Sequence, residues 1–183
     1  MVFSINEMRA QFAGGGQRPT HFSLQFINPA NGSADIKIPY MAMATQIPSF
    51  SEGEVNVPYF GRKIKVAGDR VWDNWTVTVL QDNDFVIRNA LEEWSNKINS
   101  FEGNLRTFSS SAPSDYKSQG ILTRYTATGT PNRVYTLEGI WPTQISPVEL
   151  SWDATDQLEQ FQVTFAFDWC YVSGGSTGNA GGE

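Results

Sequence analysis

Residues 161–171, Phe-Gln-Val-Thr-Phe-Ala-Phe-Asp-Trp-Cys-Tyr, decide the fold class of this 183-residue chain. Every odd-numbered position of the stretch holds a large apolar side chain, and smaller or polar side chains stand between them. Such period-two alternation is typical of a β-strand that buries one face. If 158–171 forms one strand, it extends roughly 46 Å at about 3.3 Å per residue. A compact domain of this length is only about 40 Å across, so we expect the strand to overhang the domain and to need a partner.

The same alternation predicts further strands on the N-terminal side of this stretch. They lie at 22–26, 36–43, 55–66, 75–79, 119–126 and 133–141. The Asn-Gly pair within 28–33 predicts a hairpin turn between the first two strands. In the third segment Pro58 cannot donate a ladder hydrogen bond and Gly61 interrupts the pattern, so this segment is predicted to be an edge or a bend.

One segment changes period and predicts a helix near 84–99. Its apolar residues recur at spacings of three and four, which places them on one helical stripe. They are Ile87, Leu91, Trp94, Ile98 and Phe101. Asp82 and Asp84 precede the helix, where we expect them to cap it. The predicted fold is therefore mainly β, with two packed antiparallel sheets in a sandwich or barrel and one flanking helix.

The chain divides into one domain and two terminal segments. Residues 1–17 are predicted to be a flexible arm that contains a short helix and a joint at Gly14–Gly16. Residues 18–172 form the β domain, and the Gly- and Ser-rich residues 173–183 are predicted to be a disordered tail.

The charge of the chain is low and unevenly placed. Charged residues make up 17% of the sequence and aromatic residues 13%, which indicates that much of the surface is uncharged or is buried against something else. The net charge is −6. All 13 Lys and Arg residues lie within 1–133, whereas 134–183 holds seven acidic residues and no basic one. Any account of function has to explain this acidic last segment.

The rare residues exclude several kinds of site. With one cysteine, Cys170, the chain forms no internal disulfide and no multi-cysteine metal site, which fits folding in a reducing cytoplasm. The single histidine, His21, is expected on the polar side of the first strand. No secretory signal is visible, and no apolar run approaches the roughly 20 residues of a membrane span.

No motif for catalysis is present. The sequence lacks a P-loop, a dinucleotide fingerprint and a nucleophile elbow. Asp153, Asp156 and Glu159 could bind a hard cation, but a turn before a strand explains them better. Asp82 and Asp84 could act as an acid–base pair, although helix capping accounts for both. The residues by themselves therefore give no positive evidence for catalysis.

A cluster of charged side chains stands out between residues 62 and 73. Its members are Arg62, Lys63, Lys65, Asp69, Arg70 and Asp73. The basic residues could follow a phosphate backbone, but an acidic domain disfavours nucleic-acid binding. We interpret the cluster as a solvated face or a salt-bridged subunit contact. Six tryptophans also allow a carbohydrate-binding hypothesis, although Trp75, Trp94 and Trp169 lie on apolar rows.

The run Gly-Arg-Lys-Ile-Lys-Val-Ala-Gly-Asp-Arg at 61–70 and the strand at 72–79 resemble the tail tube proteins of contractile-tailed bacteriophages. The turn at 139–143 and the segment 149–153, which leads into 161–165, fit the same pattern in the same order. The similarity extends over residues 18–170. The glycine joint, the turn at 28–33 and the glycine-rich tail depart from the family pattern.

The resemblance implies a structural role, with no catalytic residues, no cofactor and no metal, and a set of partners. Family members are similar in fold to the haemolysin-coregulated proteins of type VI secretion. Six copies form a ring, and rings stack into a hollow tube inside a contractile sheath. The implied partners are further copies of the chain, the tail sheath protein, the baseplate or tube initiator, the tape measure protein, and DNA as a transient passenger. The implied location is the virion tail, assembled in the host cytoplasm.

Two hypotheses and several alternatives follow from this resemblance. The segment Arg62–Asp73 is expected at a subunit or ring-to-ring contact, because its mixed charges can pair across copies. Acidic side chains are expected either to line the bore, where they repel DNA, or to meet the basic segment of the next copy. Alternatives are a tube initiator, the tube subunit of a genome-free contractile injection or type VI-like device, a carbohydrate-binding β-sandwich, and an oligonucleotide-binding barrel.

Overall fold

The computed structural model describes residues 4–12, 15–108 and 112–174, which contain nine strands and four helices. The strands are β1 (Phe22–Phe26), β2 (Ala42–Thr45), β3 (Phe50–Tyr59), β4 (Arg62–Trp72), β5 (Trp75–Leu80), β6 (Ser118–Tyr125), β7 (Pro131–Ile145), β8 (Gln160–Ala166) and β9 (Trp169–Gly174). The helices are α1 (Ile5–Gln11), α2 (Ile38–Met41), α3 (Val86–Ile98) and α4 (Pro113–Tyr116). Gly14 and most of the predicted C-terminal tail lie outside the described residues.

Seven strands form two antiparallel sheets that share β7, as the sequence predicts for the fold class. The first half of β7 belongs to a first sheet of order β1-β6-β7-β9, and its second half to a second sheet of order β7-β8-β5-β2. The remaining two strands, β3 and β4, pair only with each other and form a separate hairpin.

The predicted long strand at 158–171 is wrong, because the chain bends at Phe167 and Asp168. There β8 ends and β9 begins, and the two strands pair with opposite halves of β7. The buried side chains change from odd-numbered to even-numbered positions at this bend: Phe165 is buried in β8, whereas Val172 is buried in β9. The strand of roughly 46 Å and the overhang expected from it therefore do not exist.

β7 bends at the same level, and Gly139 makes the bend possible. Leu137 and Ile140 are both fully buried although they are three residues apart. Since side chains of a regular strand alternate between its two faces, the face of β7 that is buried changes between these two residues. The backbone of Gly139 has φ of +71°, and a Cβ there would overlap the Asp168 carboxylate. The Asp168 N–H donates to the Glu138 carbonyl over 2.9 Å, which ties the two bends together.

α3 lies against the space between the sheets and completes the core. Its buried face carries Ile87, Ala90, Leu91 and Trp94, and it spans close to the predicted residues. The Trp94 ring lies 6.4 Å from Phe26 of the first sheet and 6.3 Å from Phe165 of the second. Phe101, the last residue of the predicted stripe, lies beyond the helix and is exposed.

The predicted pairing of the first two strands is also wrong. β1 pairs with β6 instead. Residues 28–41 form a 3₁₀ turn and α2, and the short strand β2 that follows them pairs with β5. Ile38 is buried, while Ile36 and Tyr40 are exposed, because the helical turn replaces the period-two pattern. Asn28 explains the departure: its side chain accepts from the Ala30 N–H and donates to the Ala90 carbonyl of α3, which directs the chain over the helix.

Asp82 and Asp84 do not cap α3, contrary to the sequence-based prediction. The residue before α3 is Phe85, which has φ of +53° and makes no side-chain capping bond. Both carboxylates instead contact the Lys37 ammonium. This contact lowers the pKa of Asp82 and raises the pKa of Lys37, chiefly through the hydrogen bond between them. The pair fastens the start of α2 to the loop before α3.

Candidate assembly surface

The hairpin of β3 and β4 carries every residue of the predicted charged contact except Asp73, which follows β4. Each strand is ten or eleven residues long, so the hairpin extends about 33–37 Å at the usual rise per residue. Phe60 and Gly61 form its turn, with φ of +42° and +80°. Positive φ at both central residues is the type I′ geometry that matches strand twist. Phe60 is an unusual residue for such a turn, and the sequence alone therefore does not reveal a hairpin here.

The hairpin is attached to the domain only at its base. Phe50 packs on Trp72 with ring centroids 5.3 Å apart, and Trp72 packs on Phe167 at 5.6 Å. The Asp73 N–H donates to the Ser49 carbonyl, and the Ser49 hydroxyl donates to the Asp73 carboxylate over 2.8 Å. Beyond this base, almost every residue of both strands is exposed. A two-stranded hairpin is marginal by itself in water, so this one is suited to bind a partner.

One face of the outer hairpin is apolar. The register places Val55 opposite Val66 and Val57 opposite Ile64, so the four side chains share a face. Each of the four is 45–56% exposed. Fully burying a Val or Ile side chain contributes about 1.5–3 kcal/mol. An exposed apolar stripe of this kind is typical of an interaction surface.

The opposite face of the hairpin is polar and is largely charge-neutralised within the chain. Lys65 forms an ion pair with Glu54 over 2.7 Å, and Arg70 forms one with Glu52 over 2.6 Å. The Arg70 guanidinium also lies 4.4 Å from the centre of the Phe50 ring. Lys65 and Arg70 are thus paired inside the hairpin. Glu52 and Glu54 are absent from the charged set predicted from sequence, although Glu52 lies as far before Gly61 as Arg70 lies after it.

Two basic residues at the hairpin tip stand apart from these pairs. Within the described part of the chain, the Arg62 and Lys63 side chains make no ion pair and no hydrogen bond. Asp69 lies at a β-bulge, where Gly53 opposes two residues of β4 and the register shifts. Of the predicted basic contact residues, Arg62 and Lys63 are therefore the ones whose charge is available for another molecule.

A second exposed surface is the loop at 149–159, between β7 and β8. All of its residues are exposed, and Leu150, Trp152 and Leu158 are among them at 80%, 103% and 73%. Asp153 and Asp156 extend along the same loop. Among the described residues, no group of three or more His, Cys, Asp or Glu side chains is placed to hold a metal ion.

The grooves in the described surface are shallow and lack an arrangement of catalytic groups. A groove of about 490 Å³ between α3 and the second half of β7 is lined by Asn99, Arg106, Trp141 and neighbouring side chains. A second groove of about 480 Å³ beside α2 contains the exposed Ile36 and Tyr40.

Burial raises the pKa of the Cys170 thiol to about 11, so this thiol is protonated at neutral pH. None of the described helices has the length and apolar character to cross a membrane.

Comparison with known proteins gives matches over most of the chain. The family described as phage tail tube protein matches residues 17–173. The tail tube protein gp19 of Enterobacteria phage T4 is 33% identical over 131 residues, which are 71% of this chain and 78% of that protein.

Two solved structures share the fold at low sequence identity. The PVC sheath/tube terminator of an extracellular contractile injection system superposes with a TM-score of 0.64 at 12% identity, over 87% of this chain and 97% of that one. The Hcp1 protein of Escherichia coli superposes with a TM-score of 0.52 at 13% identity, over 87% and 94% of the two chains.

Proposed function

Because the chain belongs to the phage tail tube protein family, it is a structural protein of a virion tail, and we propose that it forms six-membered rings that stack into the hollow inner tube. The family match over residues 17–173 and the phage T4 relative carry this proposal. The structure supplies a physical reason for assembly, since the hairpin exposes an apolar face that a free monomer leaves in water. Rings that stack head to tail generate a filament through heterologous contacts.

The proposed ring-to-ring contact is the hairpin of β3 and β4. The charged set predicted from sequence lies there or directly after it: Arg62, Lys63, Lys65, Asp69, Arg70 and Asp73. Lys65 and Arg70 serve the contact indirectly, because their ion pairs with Glu54 and Glu52 hold the polar face of the hairpin. Arg62 and Lys63 provide the charge that meets another copy.

The proposed partners are the other components of a contractile tail. Solved structures of the same fold come from a PVC sheath-tube complex and from the baseplate of the anti-feeding prophage. By analogy we assign the tail sheath protein, the baseplate or tube initiator and the tape measure protein as partners, and assembly in the host cytoplasm. The sequence relatives are phage proteins at 28–33% identity, which favours a genome-carrying tail over a genome-free injection device.

DNA is the proposed passenger of the bore, and the charge of the sheets supports this role. A bore formed by joining one sheet from each subunit into a continuous β-barrel removes free strand edges. Outside the hairpin, the strands carry only three charged residues, Arg124, Arg133 and Glu138. Arg124 and Arg133 lie opposite each other on the inward side of the first sheet, since Leu122 on the same face is buried. The outward faces thus present almost no cation to hold a phosphate.

We therefore propose a bore lined by uncharged side chains, and of the two places expected for the acidic side chains we favour the contact with the next copy over the bore. Thr164 lies on the outward face of the second sheet and Thr123 on that of the first. Thr164→Lys tests the outward face of the second sheet, and Thr123→Lys tests that of the first. Tails assembled with the variant whose face lines the bore should eject DNA more slowly than wild-type tails. Unchanged ejection both by tails that carry Thr164→Lys and by tails that carry Thr123→Lys would contradict the proposal that an uncharged sheet face lines the bore.

The tube proposal is tested by electron microscopy of the purified protein in negative stain, together with its mass in solution. The expected result is hollow rings or stacked tubes with a mass that is a multiple of six subunits. A protein that stays monomeric under all conditions, including in the presence of a tail baseplate, would overturn the proposal.

A further inference from the structure

The hairpin and the loop at 149–159 leave the second sheet at opposite ends. β5 runs from Trp75, just after the hairpin, to Leu80, which pairs with Gln160 directly after the loop. The Gln81 N–H donates to the Glu159 carbonyl over 2.8 Å, which fixes the end of the loop at that side. The six residues of β5 separate the two features by about 20 Å. One molecule therefore cannot bring them together, whereas two copies arranged head to tail can.

The loop has the composition of an interface segment. Leu150, Trp152 and Leu158 are almost fully in water, and a tryptophan exposed to this degree contributes nothing to the fold of its own chain. Tryptophan is also the residue most enriched among side chains that dominate binding energy. The loop carries four of the seven acidic residues of 134–183 and no basic one: Glu149, Asp153, Asp156 and Glu159.

The hairpin offers the complementary surface. Its apolar face consists of Val55, Val57, Ile64 and Val66, and its tip carries Arg62 and Lys63. The apolar side chains of the loop match the apolar face, and its carboxylates match the two tip cations. Opposite charges at the rim of an apolar contact set the register and the partner.

We infer that the loop at 149–159 of one copy covers the apolar face and the tip of the hairpin of a copy in the next ring, with the loop carboxylates facing Arg62, which lies on that face, and Lys63, which lies at the tip on the other face. The inference rests on the proposed function and deepens it by naming both sides of the ring-to-ring contact. The hairpin extends about 33–37 Å. It is therefore longer than β5, the strand that follows it, and long enough to reach the loop at 149–159 of a copy in the next ring. The contact also explains the acidic last segment of the chain, which meets the cations of another copy.

Charge reversal tests this pairing. The double variants Arg62→Glu with Lys63→Glu, and Asp153→Lys with Asp156→Lys, should each reduce the pelleted tube about tenfold at low salt, since like charges then face each other. The quadruple variant restores opposite charges and should restore tube formation. Glu102→Lys, an exposed reversal outside both surfaces, is the matched control and should form tubes like the wild type.

The outcomes separate the inference from the proposed function. If the wild type forms tubes and the quadruple variant is no better than either double variant, the pairing is overturned while the tube proposal stands. Full tube formation by both double variants overturns it as well. If the wild type forms neither rings nor tubes, the proposed function fails first.

A cross-link gives an independent test that does not depend on charge. In a Cys170→Ser background, Arg62→Cys and Asp153→Cys in the same chain should form disulfide-linked ladders of subunits when assembled tubes are oxidised. Monomers of the same variant should form no internal disulfide, because the two positions lie at opposite ends of the molecule. Tubes that oxidise without any linked species would contradict the pairing, with Arg62→Cys paired with Glu102→Cys as the negative control.

Discussion

At the scale of single residues, Gly139 determines how one strand serves two sheets. Its left-handed backbone lets β7 change its inward face between Leu137 and Ile140. The absence of a side chain also leaves room for the Asp168 carboxylate. That carboxylate accepts from the Lys117 ammonium over 2.7 Å. Gly139, Asp168 and Lys117 together fix the bend, and the pairing of β9 with β7 depends on this bend.

Replacement of Gly139 by alanine should therefore destabilise the protein strongly. A left-handed conformation costs an alanine about 1–2 kcal/mol, and the overlap with Asp168 raises the total loss to about 2–4 kcal/mol. The free energy of unfolding in urea measures this loss. Gly129→Ala is the matched control, because Gly129 also has positive φ but open space around it. Equal losses in the two variants would show that the Asp168 contact has no role.

The Lys37–Asp82 pair should make stability depend on pH in a defined direction. The pKa of Asp82 is lowered in the folded state, so its contribution is complete above the ordinary carboxyl range and is lost as the pH falls through the folded value. The difference in unfolding free energy between wild type and Asp82→Asn should be largest near pH 7 and should shrink at about pH 3. A difference that stays constant over this range would contradict the assigned ion pair. Glu102→Gln serves as a control.

At the scale of secondary-structure elements, the sequence predicts the strands and helices in which one face is more buried than the other. It fails for elements whose two faces are equally exposed. β5 alternates strictly between buried and half-buried residues, and the stripe of α3 is likewise one-sided, so period alone identifies both. The hairpin is exposed on both faces, and its turn uses Phe60 instead of Asn. The pattern at 55–66 therefore predicts one interrupted segment instead of two paired strands.

Long-range pairing accounts for the other differences from the sequence-based prediction. The apolar alternation continues through 167–169, because Trp169 keeps the period although it is exposed and belongs to another strand. Asp82 and Asp84 lie where capping residues belong, but Lys37 competes for them from 45 residues away. The predicted charged contact residues lie together in the hairpin or directly after it, whereas the partners of Lys65 and Arg70 depend on a register that a single sequence does not specify.

The hairpin should be dispensable for folding and essential for assembly. Replacing residues 55–66 with a two-residue Asn-Gly turn removes side chains that contact no other part of the domain, while Phe50 and Trp72 remain on Phe167. We expect an unchanged circular dichroism spectrum, a melting temperature within a few degrees of the wild type, and no tubes. Among point variants, Val57→Ser on the apolar face should weaken tube formation, whereas Asn56→Ser on the polar face should not. An unfolded hairpin-deleted protein, or tubes formed without the hairpin, would contradict this account.

At the scale of the whole molecule, the structure has two dissimilar ends and two nearly uncharged sheets. The hairpin with its basic tip leaves one end of the second sheet, and the acidic, apolar loop leaves the other. Dissimilar ends favour head-to-tail stacking over a closed symmetric dimer. The low charged fraction of 17% then has a physical explanation, because a subunit inside a sheathed tube hides much of its surface.

The most direct test of this account is a cryo-electron microscopy reconstruction of tubes assembled from the wild-type protein. The account predicts sixfold rings in which the hairpin of β3 and β4 crosses the boundary between rings, with its apolar face buried against the loop at 149–159 of the neighbouring ring. A reconstruction in which the hairpin stays within its own ring, with Val57 and Ile64 still exposed to solvent, would contradict it.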